Sequence, residues 1–177
     1  MDHLKPERVV PIDDSEVDDR LDREIRELLS ACFIKTGDEV FRDRRYFTEM
    51  PSRRWLLRDE GRLVAHVAVH ERTIEDGIRM LGIAEVCVTP THRGRGLMQG
   101  LLRAVHEWGG DAGFGFATLF GRPDIYASSG YQRCPEPVMV LEGGSKKVVR
   151  PPGDFLIRRL GVWRWPPHVV DLGGPVF

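Results

Sequence analysis

Hydrophobic residues recur along this chain with two different periods, which predict where its helices and strands lie. Apolar residues spaced three and four apart predict two long amphipathic helices, one over residues 21–33 and one over residues 97–108. A shorter helix is predicted over residues 39–48. A second short helical segment is predicted over residues 123–129, where a proline suits the first helical position.

The remaining apolar runs predict strands bounded by glycine, proline and acidic turn residues. Two of them flank the turn at residues 59–61 as a hairpin, and the run over residues 78–89 is apolar on both faces, which indicates a central strand. The predicted strands cover residues 8–12, 54–58, 62–69, 78–89, 115–120, 131–141 and 155–160. Residues 162–177 form an aromatic, proline-rich tail.

Length and composition predict a single globular domain over residues 1–177, because 41% of the residues are hydrophobic. The 26 basic and 27 acidic residues nearly cancel, so we expect neither a nucleic acid nor a membrane as partner. We find neither a targeting segment nor a membrane-spanning run, and three widely spaced cysteines suggest reduced thiols in a cytoplasmic protein. No histidine or cysteine cluster has metal-site spacing; His66 and His70 lie too far apart along one predicted strand to share an ion.

Residues 88–98 combine the end of a strand, an arginine–glycine turn and the start of a helix. Helix N-termini leave backbone N–H groups unpaired, so such a turn can hold a diphosphate. Gly94 and Gly96 allow close backbone approach, and Arg93 and Arg95 add cationic donors. The third glycine of the dinucleotide motif and the lysine of the Walker loop are both absent. An ordinary turn, with arginines for solubility, is the alternative.

The pattern V-x-P-x-x-R-G-x-G at residues 88–96 follows a strand that carries Glu85. Downstream, residues 126–131 read Y-x-x-x-G-Y. Over residues 25–140 the chain resembles the GCN5-related N-acetyltransferases (GNAT). The resemblance implies an α/β (α+β) fold in which helices flank a mixed, mostly antiparallel central sheet. It also implies acetyl-CoA as the acyl donor and no metal.

The same resemblance assigns chemical roles to individual residues. Glu85 would act as general base, directly or through water, since burial raises a carboxyl pKa. The alternative is a glutamate neutralised by a structural arginine. Tyr126 would protonate the leaving thiolate, unless it is only a packed tyrosine. The implied cofactor-binding residues are Val86, Cys87, Val88, Arg93, Gly94, Arg95, Gly96, Leu97 and Met98.

Met98 departs from the family pattern, which usually has a small residue there. The aminoglycoside 2'-N-acetyltransferases tolerate an aliphatic residue at this point and have a tyrosine segment similar to residues 125–130. They also end in an aromatic residue whose carboxylate approaches the amine, a role that Phe177 would take here. Residues 165–175 resemble the tail of the rhizobial Nod-factor N-acyltransferases. A tail that covers an apolar surface is the alternative.

The expected acceptor is the primary amine of a small cationic molecule, with an aminoglycoside, and hence antibiotic resistance, as first choice. Asp38, Glu39, Asp154 and the Phe177 carboxylate are candidate contacts because carboxylates attract a cation. Another aminosugar, a metabolite or a protein amine, or a longer acyl donor, would use the same chemistry. A non-catalytic acyl-CoA-binding module is the non-enzymatic alternative, and the sequence leaves a homodimer open.

Overall fold

The computed structural model describes residues 9–149 and 155–177 of the chain. Its helices are α1 (Asp19–Cys32), α2 (Leu97–Asp111) and α3 (Pro123–Tyr126). Both predicted long helices are confirmed. The segment predicted over residues 123–129 forms α3 followed by a 3-10 turn at Ala127–Ser129.

Within the described residues, ten strands form two sheets. They are β1 (Val10–Asp13), β2 (Arg53–Asp59), β3 (Arg62–Thr73), β4 (Arg79–Val88), β5 (Phe116–Phe120), β6 (Gln132–Arg133), β7 (Val138–Glu142), β8 (Ser145–Val149), β9 (Phe155–Arg159) and β10 (Val170–Asp171). Hydrogen bonding joins seven of them in the order β1-β2-β3-β4-β5-β9-β6 and three in the order β10-β7-β8. β4 and β5 are parallel, whereas β9 is antiparallel to both β5 and β6. The expected mixed α/β fold is confirmed.

The chain divides into two compact units. The first unit is Met1–Ala68 with Glu85–Ala104, and the second unit is Val69–Ala84 with Val105–Phe177. Both β3 and β4 contribute residues to each unit. That residues 1–177 form one domain stays a prediction.

In the first unit, α1 begins where Asp18 accepts a hydrogen bond from the Leu21 amide at 2.8 Å, which caps an otherwise unpaired N–H group. The helix buries Ile25, Leu28 and Leu29 in an apolar cluster, as its period predicts. This cluster also contains Phe41, Leu56 and Cys87. α1 is therefore held by the packing of its apolar stripe.

The helix predicted over residues 39–48 is wrong in extent. Only a 3-10 helix, Asp38–Arg42, forms there, and it starts after Gly37 in the left-handed region at φ 97°. The chain then leaves helical geometry, and the Arg45 side chain and the Phe47 amide bond instead to distant carboxylates. Tertiary hydrogen bonds replace the local helical ones in this segment.

In the second unit, a core of buried apolar residues lies around Met80, Phe116 and Ile157. The aromatic tail joins this core. Trp165 packs edge-on against Phe116 with 5.1 Å between ring centroids, and β10 pairs in parallel with β7. The tail is thus an integral part of the second unit.

The strand predicted over residues 131–141 is also wrong, because it divides into β6 and β7 in different sheets. Pro135 and Pro137 lie between them, and proline cannot donate to a strand ladder. β7 pairs antiparallel with β8, a strand that the hydrophobic pattern did not predict. The β8 residues are mostly exposed, which explains why their hydropathy gave no signal.

Candidate functional site

The backbone of β4 becomes irregular at Glu85. This residue has φ 50°, a left-handed conformation that is unusual for any residue other than glycine. Such a conformation interrupts strand geometry and redirects the side chain, as β-bulges near active sites do. The Glu85 side chain is only 5% exposed.

Two donors hold the Glu85 carboxylate. The Phe47 amide donates to Oε1 at 2.8 Å, and Arg54 Nη1 lies 3.4 Å from Oε2. Burial raises the pKa of Glu85 to about 7, and the charge of Arg54 opposes that rise. The carboxyl group therefore titrates near neutrality, where a general base is most useful.

His66 connects Arg54 to the backbone of Glu85. Because a carbonyl oxygen only accepts, His66 Nδ1–H donates to Glu85 O at 2.9 Å, and Nε2 then accepts from Arg54 Nη1 at 2.8 Å. Burial and the neighbouring Arg54 lower the pKa of His66 to about 3. His66 is thus a neutral bridge that orients its neighbours.

Arg54 is fully buried and interacts more closely with Asp14 than with Glu85. Its Nε donates to Asp14 Oδ1 at 2.5 Å, and Arg45 Nη2 donates to Asp14 Oδ2 at 2.7 Å. Burial alone would raise the pKa of Asp14, but the hydrogen bonds from Arg45 and Arg54 outweigh burial and lower that pKa. Asp14 therefore balances most of the positive charge of Arg54, so Arg54 does not simply neutralise Glu85.

Sequence reasoning missed Asp14, Arg45, Arg54 and the bridging role of His66. One signal was available, since Arg54 directly precedes the apolar run of β2 and a charge at a buried strand position needs a partner. The partner itself lies 40 residues away and carries no motif. Periodicity could not identify it.

The arginine–glycine turn has the predicted placement, between β4 and α2. Gly94 and Gly96 have φ 76° and 74°, and a Cβ atom on either would meet no atom within 4 Å. Arg93 Nε donates to Val88 O at 3.2 Å, and Arg95 Nη2 donates to Thr91 O at 3.2 Å. The turn is open on the side where an anion would approach.

The other predicted cofactor-binding residues flank this turn. Cys87 is buried, whereas Val86, Val88, Leu97 and Met98 are half-buried. The first helical hydrogen bond of α2 in this stretch is Gly100 N to Gly96 O at 3.0 Å. The backbone amides just before Gly100 thus lie at the helix N-terminus, where unpaired donors are expected.

Tyr126 ends α3 in the second unit and is half-buried. Its ring lies against Gly121, where an added Cβ atom would be 2.7 Å from Cε2, and it meets the Tyr131 ring edge-on at 6.0 Å. The Tyr131 hydroxyl is 2.8 Å from His106 Nε2. Neighbouring aromatic packing therefore limits where the Tyr126 ring can go.

The candidate amine contacts have local partners. Asp38 accepts from the Lys35 amide at 2.8 Å, and Glu39 accepts from the Gly37 amide at 2.7 Å. Asp154 lies outside the described residues. The Phe177 ring packs directly on Gly82 in the second unit, so covering this part of β4 is at least one of its roles.

Within residues 9–149 and 155–177, no three His, Cys, Asp or Glu side chains are grouped so that they could hold a metal ion. None of the helices in the described chain has the length and apolar character needed to cross a bilayer.

The chain was compared with protein families and solved structures. The family model described as an acetyltransferase (GNAT) domain matches residues 14–134, more than half of the chain. The YhbS N-acetyltransferase of Escherichia coli, solved with CoA, is 19% identical; the alignment covers 97% of this chain and 93% of that one, with a TM-score of 0.66. A GNAT family acetyltransferase of Brucella melitensis, solved with acetyl-CoA, is 17% identical over 92% and 94%, with a TM-score of 0.61.

A third structure is the ribosomal-protein-S18-alanine N-acetyltransferase of Escherichia coli. It is 11% identical, with coverage of 89% of this chain and 97% of that one and a TM-score of 0.57. A search of curated proteins found no match. At these identities the structural likenesses show the fold.

Proposed function

Because this chain belongs to the GNAT acetyltransferase family, we propose that it transfers the acetyl group of acetyl-CoA to a primary amine, with Glu85 as general base. The observation that carries the proposal is the buried Glu85 carboxyl group, held by the Phe47 amide and Arg54. Its pKa of about 7, raised by burial, lets it accept a proton from an ammonium group at neutral pH. The Escherichia coli and Brucella structures with CoA and acetyl-CoA support the choice of donor.

In the proposed reaction, Glu85 takes a proton from the amine directly or through water. The amine nitrogen attacks the thioester carbonyl carbon, the new C–N bond forms and the C–S bond breaks. Backbone N–H groups of residues 86–88 would stabilise the oxyanion that develops in between. Tyr126 would give its proton to the departing thiolate, as the family motif implies, and would regain a proton from the amide nitrogen as that nitrogen loses its second proton.

We assign the cofactor diphosphate to the turn at residues 93–96. Gly94 and Gly96 leave the space beside the backbone open. Unpaired amides at a helix N-terminus carry partial positive charge, which would favour an anion at the start of α2. Arg93 and Arg95 are both exposed and add two guanidinium groups. Met98 is half-buried and leaves these turn positions intact.

For the acceptor we propose a small cationic amine, with aminosugars, including the aminoglycosides, as first choice. The similarity of residues 125–130 to the aminoglycoside enzymes, Met98 in the turn and the aromatic C-terminus support this choice. Repulsion of a cationic acceptor by nearby arginines is limited, because Arg45, Arg53 and Arg54 are paired with carboxylates. Resistance to an aminoglycoside would follow from its acetylation.

The test is steady-state thiol release from acetyl-CoA with a panel of kanamycin-type and gentamicin-type compounds, small metabolite amines and peptides. The kcat/KM of wild type should fall as the pH drops below about 7, because Glu85 becomes protonated; this fall is the acidic limb of the pH–rate profile. Glu85→Gln should lose the acidic limb, and its rate should be about 10²–10⁴-fold lower. Tyr126→Phe should lower kcat while acetyl-CoA affinity stays near that of wild type. If the acidic limb persists in Glu85→Gln, Glu85 is not the general base. If other amines are acetylated but no aminoglycoside is, the proposed aminoglycoside acceptor is wrong.

A further inference from the structure

A cleft of about 650 Å³ lies in the second unit, beside the end of β9. Its wall contains the arginines Arg158, Arg159 and Arg164 and the tryptophans Trp163 and Trp165. Among the described residues that line it there is no aspartate or glutamate. Clefts of this size hold small organic molecules. The proposed acetyl transfer uses none of these five residues.

Strand pairing and aromatic packing bring these residues together. Arg159 lies opposite Phe116 of β5 in the antiparallel ladder of β5 with β9. A Cβ atom on Gly115 would lie 3.0 Å from Trp163 Cδ1, and the Trp165 ring packs edge-on against the Phe116 ring at 5.1 Å. The segment that follows β9 is therefore held against the start of β5.

The positive charge of the cleft is not balanced by the described part of the chain. Arg159 and Arg164 are exposed, and neither forms an ion pair or a hydrogen bond with another described residue. Arg158 is half-buried, and its Nη1 donates to the backbone oxygen of Ser129, which carries no net charge. Burial and the charge of Arg158 together lower the pKa of His106 to about 3. An anion in the cleft would find three guanidinium groups and no competing carboxylate.

Three buried polar atoms at the cleft or directly beside it lack a hydrogen-bond partner among the described residues. They are Arg158 Nε, Trp165 Nε1 and Ser129 Oγ. Most buried polar groups in folded proteins have a partner, and an unsatisfied one is costly. Since none of the three reaches solvent in this structure, a ligand meets the two N–H groups only when the side chains of the wall turn. Two unsatisfied donors favour a ligand that is rich in acceptor oxygens.

We propose that this cleft is a separate ligand-binding site that takes a small aromatic anion, a planar ring that bears a carboxylate or a phosphate group. The planar guanidinium group matches both of these anions with two parallel hydrogen bonds. The proposal goes beyond the proposed acetyl transfer and does not depend on it.

The tryptophans are the reason for the aromatic part of the ligand. Trp163 is 45% exposed, although indole is among the largest apolar side chains. Trp165 is half-buried and also packs against Phe155 with 5.8 Å between ring centroids. A planar ring that packs on these indoles removes apolar surface from water, which an inorganic anion cannot do.

Four probes separate the contribution of the ring from that of the charge. Phenyl phosphate and benzoate have both features, whereas inorganic phosphate has only the charge and benzyl alcohol has only the ring. By calorimetry at low salt, phenyl phosphate or benzoate should bind at one site and at least about tenfold more tightly than inorganic phosphate and benzyl alcohol. The tighter of the two aromatic anions identifies the anionic group. No saturable binding, or equal binding of inorganic phosphate or benzyl alcohol, would overturn the proposal.

Charge-removing variants locate the bound probe. Arg159→Gln and Arg164→Gln change exposed side chains, so the fold should be unaffected, and each should weaken binding of the aromatic anion about fivefold. Arg133→Gln is the matched control, because Arg133 is an exposed arginine of β6 in the same unit that does not line the cleft. Its affinity should equal that of wild type. An equal loss in all three variants would show a general charge effect and overturn the site.

A tryptophan signal gives an independent location. The aromatic anion should change the fluorescence of wild type, and Trp163→Phe should lose most of that change. Trp108→Phe should keep the change, because Trp108 is half-buried in the second unit but does not line the cleft. If Trp163→Phe retains the whole change, the probe is bound elsewhere and the proposal is wrong.

The turn at residues 93–96 is the other candidate for binding a phosphate group, so the calorimetric titration is repeated with saturating acetyl-CoA. The affinity for the aromatic anion should stay the same. Displacement of the probe by acetyl-CoA would assign it to the turn and overturn the separate site. All of these readouts measure binding, so they test the cleft whether or not the chain acetylates an amine.

Discussion

Arg54 is shared between two carboxyl groups, and this sharing governs the charge of Glu85. Its Nε contacts Asp14 at 2.5 Å, whereas Nη1 is 3.4 Å from Glu85. Burial raises the pKa of Glu85, Arg54 lowers it and the negative charge of Asp14 raises it again. Asp14, which is buried and paired with Arg54, thus helps to set the basicity of the proposed base Glu85.

Replacing Asp14 by asparagine should therefore make Glu85 more acidic. The amide oxygen of the new side chain can still accept from Arg54, but the negative charge is gone, so Arg54 acts more strongly on Glu85 and the pKa of Glu85 falls. The acidic limb of kcat/KM should move to lower pH, which a pH–rate profile of Asp14→Asn measures directly.

Asp22→Asn is the matched control, since Asp22 bonds to Arg45 and Arg26 and has no described bond to Arg54. Its acidic limb should stay in place. If both variants shift the limb equally, or neither does, then Asp14 does not control Glu85.

At the scale of elements, the strand–turn–helix of residues 79–111 presents the features that an anion would bind. Two left-handed glycines lie immediately before α2, and space beside them is free. The parallel ladder of β4 with β5 covers Met80 to Ile83, and the irregular residue Glu85 follows soon after. One element therefore carries both the proposed base and the proposed diphosphate site.

Gly94→Ala and Gly96→Ala should each weaken acetyl-CoA binding about tenfold, because a Cβ atom would occupy the face proposed for the diphosphate. Calorimetry gives the affinities. Gly61→Ala is the control: Gly61 has φ 77° and equally open surroundings, so it introduces the same backbone strain away from the turn. Unchanged affinity in both turn variants would remove the diphosphate assignment.

Gly82 and Phe177 should be energetically coupled within the second unit. A Cβ atom on Gly82 would lie 2.6 Å from the Phe177 ring, which also stacks on His70 at 6.0 Å. Gly82→Ala should destabilise wild type by about 1–3 kcal/mol through overpacking. In a Phe177→Ala background most of that loss should disappear.

Urea denaturation of the two single variants and the double variant gives this coupling free energy. Strictly additive losses would show that the ring does not rest on Gly82. Activity of Phe177→Ala, measured alongside, reports separately on any role of the terminal residue toward the amine.

For the whole molecule, three buried groups make stability depend on pH. Burial lowers the pKa values of His66 and His106 to about 3, and burial raises that of Glu85 to about 7. Between about pH 4.5 and 6.5 the unfolded chain takes up a proton on each histidine, whereas the folded chain holds one extra proton on Glu85. The unfolded state therefore binds one more proton in total, and stability should fall as the pH falls.

Urea unfolding between pH 7.5 and 5 should thus show a loss of up to about 1.4 kcal/mol per pH unit in the lower part of this range. His106→Gln should reduce the slope, because it removes one histidine that charges only on unfolding. A stability that rises toward pH 5 would show that the buried histidines are protonated in the folded state.

Local patterns were sufficient to predict much of the fold. The apolar stripes of α1 and α2, the hairpin strands and the turn at residues 93–96 depend on backbone hydrogen bonds between near neighbours, which leave a regular trace in the sequence. Glu85 was predicted as general base from the GNAT resemblance, together with the expectation that burial raises a carboxyl pKa. Family motifs then indicated the chemistry.

Tertiary structure alone decided how distant residues are combined. Asp14, Arg54, His66 and Glu85 meet although up to 71 positions separate them. The loss of the helix over residues 43–48 has the same origin, since Arg45 and Phe47 bond to distant carboxylates. Hydropathy records whether a residue is buried, but the charge and partner of a buried group depend on which elements pack together.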